Sequence, residues 1–160
     1  IVLKAQEAAI KEIKPGALWD APHNASVTVI TQGLIKLGLL EGKLSQLIES
    51  ETYKDFYMHR VGHWIGMDVH DVGDYRLAGE WRPLQPGMVL TVEPGIYIPA
   101  NVTASDNQQS SKIRGFALED ALGTGIRIED DVLITETGCE VLSQRVPKTI
   151  DEIEAFMRAA

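Results

Sequence analysis

The sequence has 160 residues, enough for one domain with a hydrophobic core of its own. Its formal net charge of −8 argues against nucleic acid or an anionic membrane as a partner. The single cysteine, Cys139, excludes an internal disulfide and fits a reducing compartment such as the cytoplasm. No apolar run reaches the length of about 18 residues that a membrane-spanning helix needs.

Helices are predicted in the first third of the chain. Residues 1–13 have an amphipathic pattern that is typical of a surface helix. Asn24 is in position to cap a second helix, which Gly38 or Gly42 should end. Residues 44–48 predict a short third helix.

Strands are predicted in the second half of the chain. Residues 88–92 are nearly all apolar, which is typical of a buried strand. Residues 126–134 predict a hairpin-like pair of strands in which Glu129 points inward, and residues 139–142 predict a last strand.

The connecting segments complete the fold class. The polar segment 73–85 is interpreted as a solvated loop that can also roof a pocket, and residues 100–112 predict an exposed, mobile loop. Residues 151–158 predict a closing helix with an apolar side. Helices first, then strands, then a final helix indicate an α+β fold.

The histidines are concentrated in one stretch, since three of the four lie within twelve residues. Two glycines inside this stretch disfavour a helix, because each costs about 1 kcal/mol relative to alanine. In an extended chain His59 and His63 are about 13 Å apart, too far to bind the same metal ion. We therefore expect one to be a ligand and the other to stand across a pocket. Extended pairing would also put the odd positions from His59 to Val69 on one face until a turn intervenes.

Two carboxylates complete the candidate set. Glu93 and Glu129 each lie at a predicted strand end in a segment that contains a glycine, Gly95 and Gly125 respectively. Burying Glu93 after an apolar strand is costly unless the carboxylate is paired or binds a metal. Isolated histidines are more often structural or exposed, which is our interpretation of His23. The residues alone therefore predict a metal or acid/base site, and Mn, Zn, Co and Fe all suit its ligands.

Three ordered segments make the chain recognisable. They are residues 59–73 (HRVGHWIGMDVHDVG), 84–98 (LQPGMVLTVEPGIYI) and 125–138 (GIRIEDDVLITETG). These segments resemble the pita-bread family of proline-specific metallopeptidases, and most closely its Xaa-Pro aminopeptidases. The resemblance implies removal of the N-terminal residue from peptides that have proline in the second position.

The resemblance also implies a ligand set. His63 and Glu93 would bind one metal ion, and Glu129 would bridge two. Two divalent ions, with manganese expected and zinc, cobalt or iron as alternatives, would activate a bridging water and polarise the scissile carbonyl.

The same resemblance assigns three residues to the chemistry around the metal. His59 would lie in the substrate pocket. His70 would bind the substrate carbonyl or stabilise the tetrahedral intermediate. Arg127 would orient the groups of the active site.

One part of the family's pattern does not match. The resemblance implies two further aspartate ligands before His59, where the chain has only Asp20 and Asp55 in unsuitable contexts. We therefore expect residues 1–160 to be a single partial catalytic domain, the C-terminal half of a pita-bread fold with helices on a curved, mainly antiparallel sheet. Alone it should be inactive and hold at most one weakly bound ion. Its expected partners are the missing N-terminal part and, in the parent, further copies of itself.

Two alternatives stay open. Xaa-Pro dipeptidases share these motifs, and the choice between the two peptidases depends on parts of the pocket outside them. A non-catalytic pita-bread module that binds proteins is the other alternative. The intact motif positions argue against it, because a decayed site usually loses some of them.

Overall fold

The computed structural model of the protein describes residues 1–101, 112–113 and 116–159. The mobile loop predicted over residues 100–112 therefore lies almost wholly outside the described residues. Within the described part of the chain, no helix combines the length and the apolar character that crossing a bilayer requires.

Helices dominate the first third of the chain, as predicted. The helix α2 (Ala21–Leu37) has Asp20 as its capping residue and Pro22 in its first turn, where a fixed φ suits the helix. The prediction of Asn24 as the cap is wrong, and its side-chain amide donates to the Asp20 carboxylate at 3.0 Å. Gly38 ends α2 in the left-handed conformation. The helical elements are α1 (Val2–Lys11), α2 (Ala21–Leu37), α3 (Leu44–Glu49), a 3-10 turn (Thr52–Asp55), α4 (Leu118–Ala121) and α5 (Ile150–Ala159).

The strands are short, and every pairing among the described residues is antiparallel. β3 (Val89–Val92), β8 (Asp130–Ile134) and β9 (Cys139–Val141) form a three-stranded sheet with β8 in the middle, while β4 (Gly95–Tyr97) pairs with β7 (Gly125–Arg127). The predicted hairpin over residues 126–134 is wrong, because its two strands pair with different partners and Glu129 lies in the crossing between them. The strands are β1 (Arg76–Leu77), β2 (Glu80–Trp81), β3 (Val89–Val92), β4 (Gly95–Tyr97), β5 (Lys112–Ile113), β6 (Phe116–Ala117), β7 (Gly125–Arg127), β8 (Asp130–Ile134) and β9 (Cys139–Val141).

The histidine stretch is extended where it passes β3. Three backbone hydrogen bonds join residues 61–65 to that strand, in the antiparallel sense. They run from Ile65 N to Val89 O at 3.4 Å, from Thr91 N to His63 O at 3.0 Å and from Glu93 N to Val61 O at 2.6 Å. The predicted extended conformation is therefore present in this half of the stretch.

The alternation of faces, predicted to last until a turn intervenes, ends after Trp64. Val61 is buried in the core, whereas Met67 is 99% exposed. The chain bends after Trp64, where the Asp71 N–H returns to the Trp64 carbonyl at 3.0 Å. His70 is carried back toward His63 by this bend, and the strand periodicity does not continue beyond it.

The core has a helical part and a sheet part, and α1 contributes to both. Ala5 of α1 packs with α2 and with Tyr57, whereas Ala9 packs beneath β3 and β8. Helices thus cover one side of the sheet, and the predicted α+β class is confirmed. α5 is different: none of its residues is buried, and its apolar side is exposed. Its exposed apolar residues are Ile150, Ile153, Phe156 and Met157.

Candidate metal centre

The imidazole of His63 is held in one tautomer by the backbone. Its Nδ1 lies 2.8 Å from the Trp64 carbonyl oxygen. A carbonyl oxygen only accepts, so the neutral ring carries its proton on Nδ1 and has a free lone pair on Nε2. The segment lies close to β3 at this point, because a Cβ on Gly62 would stand 1.8 Å from the Thr91 carbonyl oxygen. Glycine at position 62 is therefore needed to bring His63 to the sheet.

Glu93 follows β3 and is buried, with 8% of its surface exposed. Its Oε1 lies 3.1 Å from His63 Nε2 and accepts a hydrogen bond from the Thr91 hydroxyl at 3.0 Å. Its Oε2 lies 3.4 Å from Nη1 of Arg127. Both oxygens of this buried carboxylate therefore have polar partners, as burial of a charge requires.

Glu129 reaches the same place from the crossing between β7 and β8. Each of the three residues offers one ligand atom, and these atoms of Glu129, Glu93 and His63 all lie within 4.8 Å of one another. Glu129 is exposed as a residue, so the prediction that it points inward holds only for its carboxyl tip. Partial burial raises the pKa of this carboxyl, and the charges of Glu93 and Asp131 raise it further. Two carboxylates and an imidazole with a free lone pair fit a divalent cation.

His59 does not join the three ligands. Its Nδ1 faces the Arg60 carbonyl oxygen at 2.7 Å, which leaves Nε2 of the neutral ring as an acceptor. The Tyr97 hydroxyl donates to this Nε2 at 2.9 Å and in turn accepts from Nε of Arg127 at 2.6 Å. Arg127 thereby connects His59, through Tyr97, to the carboxylate of Glu93.

Tyr97 is a residue of the site that sequence reasoning missed. It belongs to the second recognisable segment, but its position there carried no chemical signal. The register of β4 against β7 pairs Tyr97 with Gly125, and a Cβ at Gly125 would stand 2.8 Å from the tyrosine ring. The glycine before Ile126 was therefore the available indication that a large side chain lies against this strand.

A cavity of about 470 Å³ lies next to the cluster. His70 borders it, with its ring centroid 4.4 Å from that of His63 in an edge-to-face arrangement. Segment 73–85, predicted as a polar loop, instead carries the hairpin β1–β2. Its Tyr75 and Trp81 line the cavity, and the Arg76 guanidinium lies 3.7 Å from the Trp81 ring centre.

Asp130 lies outside the ligand cluster and anchors the chain beside it. It is 1% exposed, and Nζ of Lys148 donates to both of its carboxylate oxygens at 2.6 Å. The Ser143 hydroxyl donates to the same carboxylate at 2.6 Å. These contacts attach the segment before α5 to the residue that follows Glu129.

The model of metallopeptidase family M24 matches residues 1–136. The chain belongs to this family. It is 44% identical to the Xaa-Pro aminopeptidase of Escherichia coli over 160 residues, covering 100% of this chain and 33% of that protein. The chain is also 35% identical to the human Xaa-Pro dipeptidase. That alignment covers 98% of this chain and 35% of the human protein.

Solved structures agree with this assignment. The aminopeptidase PepP of Pseudomonas aeruginosa has a TM-score of 0.88 and 55% identity, covering 99% of this chain and 33% of that one. The zinc-substituted aminopeptidase P of E. coli, solved in complex with product, has a TM-score of 0.85 and 42% identity, with 99% of this chain and 33% of that one covered. The predicted pita-bread fold is confirmed. The chain spans about a third of the length of these relatives.

Proposed function

We propose that this chain supplies part of the active site of an Xaa-Pro aminopeptidase, which removes the N-terminal residue from peptides with proline in the second position. The observation that carries this proposal is the convergence of His63, Glu93 and Glu129 within 4.8 Å. The relatives named Xaa-Pro aminopeptidase from Haemophilus influenzae and E. coli support it at 43% and 44% identity over the chain.

In this proposal the three converging residues hold a divalent cation, manganese by preference, with zinc, cobalt or iron as alternatives. When bound, such a cation polarises the scissile carbonyl and activates water. Three ligands are too few for a reactive pair of ions. We propose that further ligands come from the part of the relatives' length that this chain does not span. The 160 residues alone would then bind one ion weakly and have no peptidase activity.

The remaining residues of the site position and receive the substrate. His59 borders the cavity, and its ring is fixed by the Tyr97 hydroxyl, which donates to Nε2. Arg127 holds Tyr97 and the outer oxygen of Glu93 in place. His70 is exposed beside His63, and we propose that it donates a hydrogen bond to the substrate carbonyl oxygen or to the tetrahedral oxyanion.

The experiment that tests this function uses the whole protein that contains this chain. Release of the N-terminal residue from a tripeptide of the Xaa-Pro-Xaa type is measured for wild type and for His63→Ala. We expect at least about a thousandfold loss of kcat/KM, because a metal site without its imidazole ligand loses the cation. Unchanged turnover by His63→Ala would contradict the ligand assignment.

Xaa-Pro dipeptidase is the second candidate, supported by the 35% identity to the human enzyme of that name. A panel that compares an Xaa-Pro dipeptide with the corresponding tripeptide separates the two activities. A non-catalytic protein-binding module is a weaker candidate, since the imidazole and both carboxylates are present and converge. Metal-independent binding of a protein, with no turnover of either peptide, would favour it.

The partners are also a proposal. An apolar groove of about 700 Å³ is bordered by Ile96, Ile126 and Ile150, of which the last two are 63% and 75% exposed. We propose that the rest of the catalytic domain covers this face, in a cytoplasmic protein that forms homo-oligomers. The 160-residue chain should then self-associate, and the whole protein should bury Ile126. Amide hydrogen exchange at β7 that is equally fast in the 160-residue chain and in the whole protein would contradict the proposal that this face is covered.

A further inference from the structure

We propose that Thr91 is a positioning residue: its hydroxyl couples His63 to Glu93 and holds the two side chains at the separation that a shared cation needs. This inference rests on the proposed metal site. It concerns a residue in the middle of β3 that has no ligand atom in the cluster itself.

The hydroxyl of Thr91 has two partners, and both belong to ligand residues. Its Oγ1 lies 3.0 Å from the backbone nitrogen of His63 and 3.0 Å from Oε1 of Glu93. The backbone N–H can only donate, so Oγ1 accepts from it. The one hydrogen of the hydroxyl is then free for the carboxylate. The chemistry of the two partners thus fixes the direction of both hydrogen bonds, since the N–H only donates and the carboxylate only accepts.

The oxygen that Thr91 holds is the oxygen that faces the imidazole. Oε1 of Glu93 lies 3.1 Å from Nε2 of His63, whereas Oε2 is turned toward Arg127. A glutamate side chain has several rotatable bonds, and fixing them costs conformational entropy whenever a ligand must be held in one place. Because the Thr91 hydroxyl already fixes the glutamate side chain in the folded protein, this entropy is lost before a cation binds. Thr91 therefore selects the rotamer of Glu93 in which Oε1 faces the imidazole of His63.

The backbone around Thr91 is built for this contact. His63 reaches the hydroxyl because Gly62 lets its segment approach to a distance at which a Cβ would clash with the Thr91 carbonyl. From the other side, the buried Gln6 of α1 donates to the Val92 carbonyl at 3.4 Å. The end of β3, at Thr91 and Val92, is therefore held by the histidine segment on one side and by α1 on the other.

A purely structural role for Thr91 makes a different prediction. Threonine favours strands because its side chain is β-branched, and valine has the same shape and the same preference. Thr91 is 0% exposed, so an apolar replacement would suit its surroundings if only packing mattered. The hydroxyl is needed only if its two hydrogen bonds matter, which makes valine and serine informative substitutions.

The test measures binding of Mn²⁺ alone to the 160-residue chain by calorimetry, for Thr91→Val and Thr91→Ser. Loss of an outer partner of a metal ligand typically weakens metal affinity about 10–100-fold. We expect this loss for Thr91→Val and a change below about threefold for Thr91→Ser, which keeps the hydroxyl. Thr31→Val is the matched control, because Thr31 is also 0% exposed and its hydroxyl donates within α2, to Val27 O at 2.7 Å.

Equal Mn²⁺ affinity in Thr91→Val and wild type would overturn the inference. So would a folded Thr91→Ser chain that loses affinity tenfold. Thr91→Ala replaces the valine variant if that variant does not fold.

Failure of the wild-type chain to bind Mn²⁺ would contradict the proposed metal site instead. The inference is then decided in the metal-free chain by amide hydrogen exchange at His63. Exchange should accelerate in Thr91→Val but not in Thr91→Ser, and equal rates in the two variants would overturn the inference.

Discussion

The two carboxylates of the candidate centre are held very differently. Glu93 is buried, accepts from Thr91 and lies against His63 and Arg127. Glu129 is exposed, sits in the crossing between two strands and carries a raised pKa. The His63–Glu93 half is therefore preorganised by hydrogen bonds. The Glu129 half depends on how well the backbone of the crossing is anchored.

The largest expected effect concerns the ion pair between Lys148 and Asp130, which anchors the backbone next to Glu129. Lys148→Met should leave the charge of the buried Asp130 carboxylate uncompensated, with only the Ser143 hydroxyl still donating to it, and such a loss typically costs about 3–5 kcal/mol. Urea unfolding measures this loss of stability. Lys54→Met is the control, because its ion pair with Glu51 is exposed and should matter far less. Equal effects of the two substitutions would show that Asp130 does not depend on its lysine.

A second prediction uses the buried histidine behind the site. His23 is 5% exposed, and burial lowers its pKa from 6.5 to about 3, with Arg60 and His59 adding to the shift. The folded state then binds fewer protons than the unfolded state between these values. Stability is therefore fully present above pH 6.5 and falls as the pH drops, by about 1.4 kcal/mol per pH unit.

His23→Met should remove this slope. Denaturant unfolding at pH 6.5 and at pH 4.5 measures it, with a difference between the two proteins of roughly 2–3 kcal/mol expected over that interval. Parallel pH profiles for wild type and variant would contradict the assignment of His23 as a neutral core histidine.

A third prediction tests the preorganised half. In Gly62→Ala the new methyl group meets the backbone carbonyl of Thr91, which cannot move aside as a flexible side chain can. We expect a loss of about 1–3 kcal/mol in stability, together with weaker Mn²⁺ binding. Gly138→Ala is the matched control, because a Cβ there meets nothing within 4 Å. Similar Mn²⁺ affinity in both variants would show that the close approach is not needed.

The smallest expected effect is at α5. Phe156 is 65% exposed, so Phe156→Ser should change the stability of the 160-residue chain by no more than about 0.5 kcal/mol. Phe56, with 4% exposure, is the comparison, and Phe56→Ser should be severely destabilising. Thermal unfolding of the two variants measures the difference. A large loss in Phe156→Ser would show that α5 packs against the rest of this chain.

The sequence could predict what local chemistry determines. Apolar continuity predicted β3, and the left-handed preference of glycine predicted that α2 ends at Gly38 or Gly42. The residues alone predicted a site made of histidine and the two glutamates, and the family resemblance singled out His63 as the histidine that joins them. The start of α2 was missed because Asn24 and Asp20 are both good capping residues. Pro22, whose fixed φ suits a first turn, was the signal that favoured the earlier start.

Contacts between distant residues could not be predicted in this way. That β7 pairs with β4 and β8 with β3 depends on partners distant in the sequence, 32 residues apart in Gly95↔Arg127 and 44 in Val89↔Leu133. The apolar side of α5 was predicted from its periodicity, but a single sequence does not say what covers it. Thr91 and Tyr97 gave no signal because their roles lie in hydrogen bonds whose partners are set by the tertiary fold.

The central claim is that His63, Glu93 and Glu129 bind one divalent cation together. Calorimetric titration of the 160-residue chain with Mn²⁺ tests it most directly, for wild type, His63→Ala and Glu93→Gln, with the exposed Glu136→Gln as control. We predict one weak site in wild type and in the control, and no detectable binding in the other two. Binding that is unchanged by His63→Ala and Glu93→Gln would contradict the account.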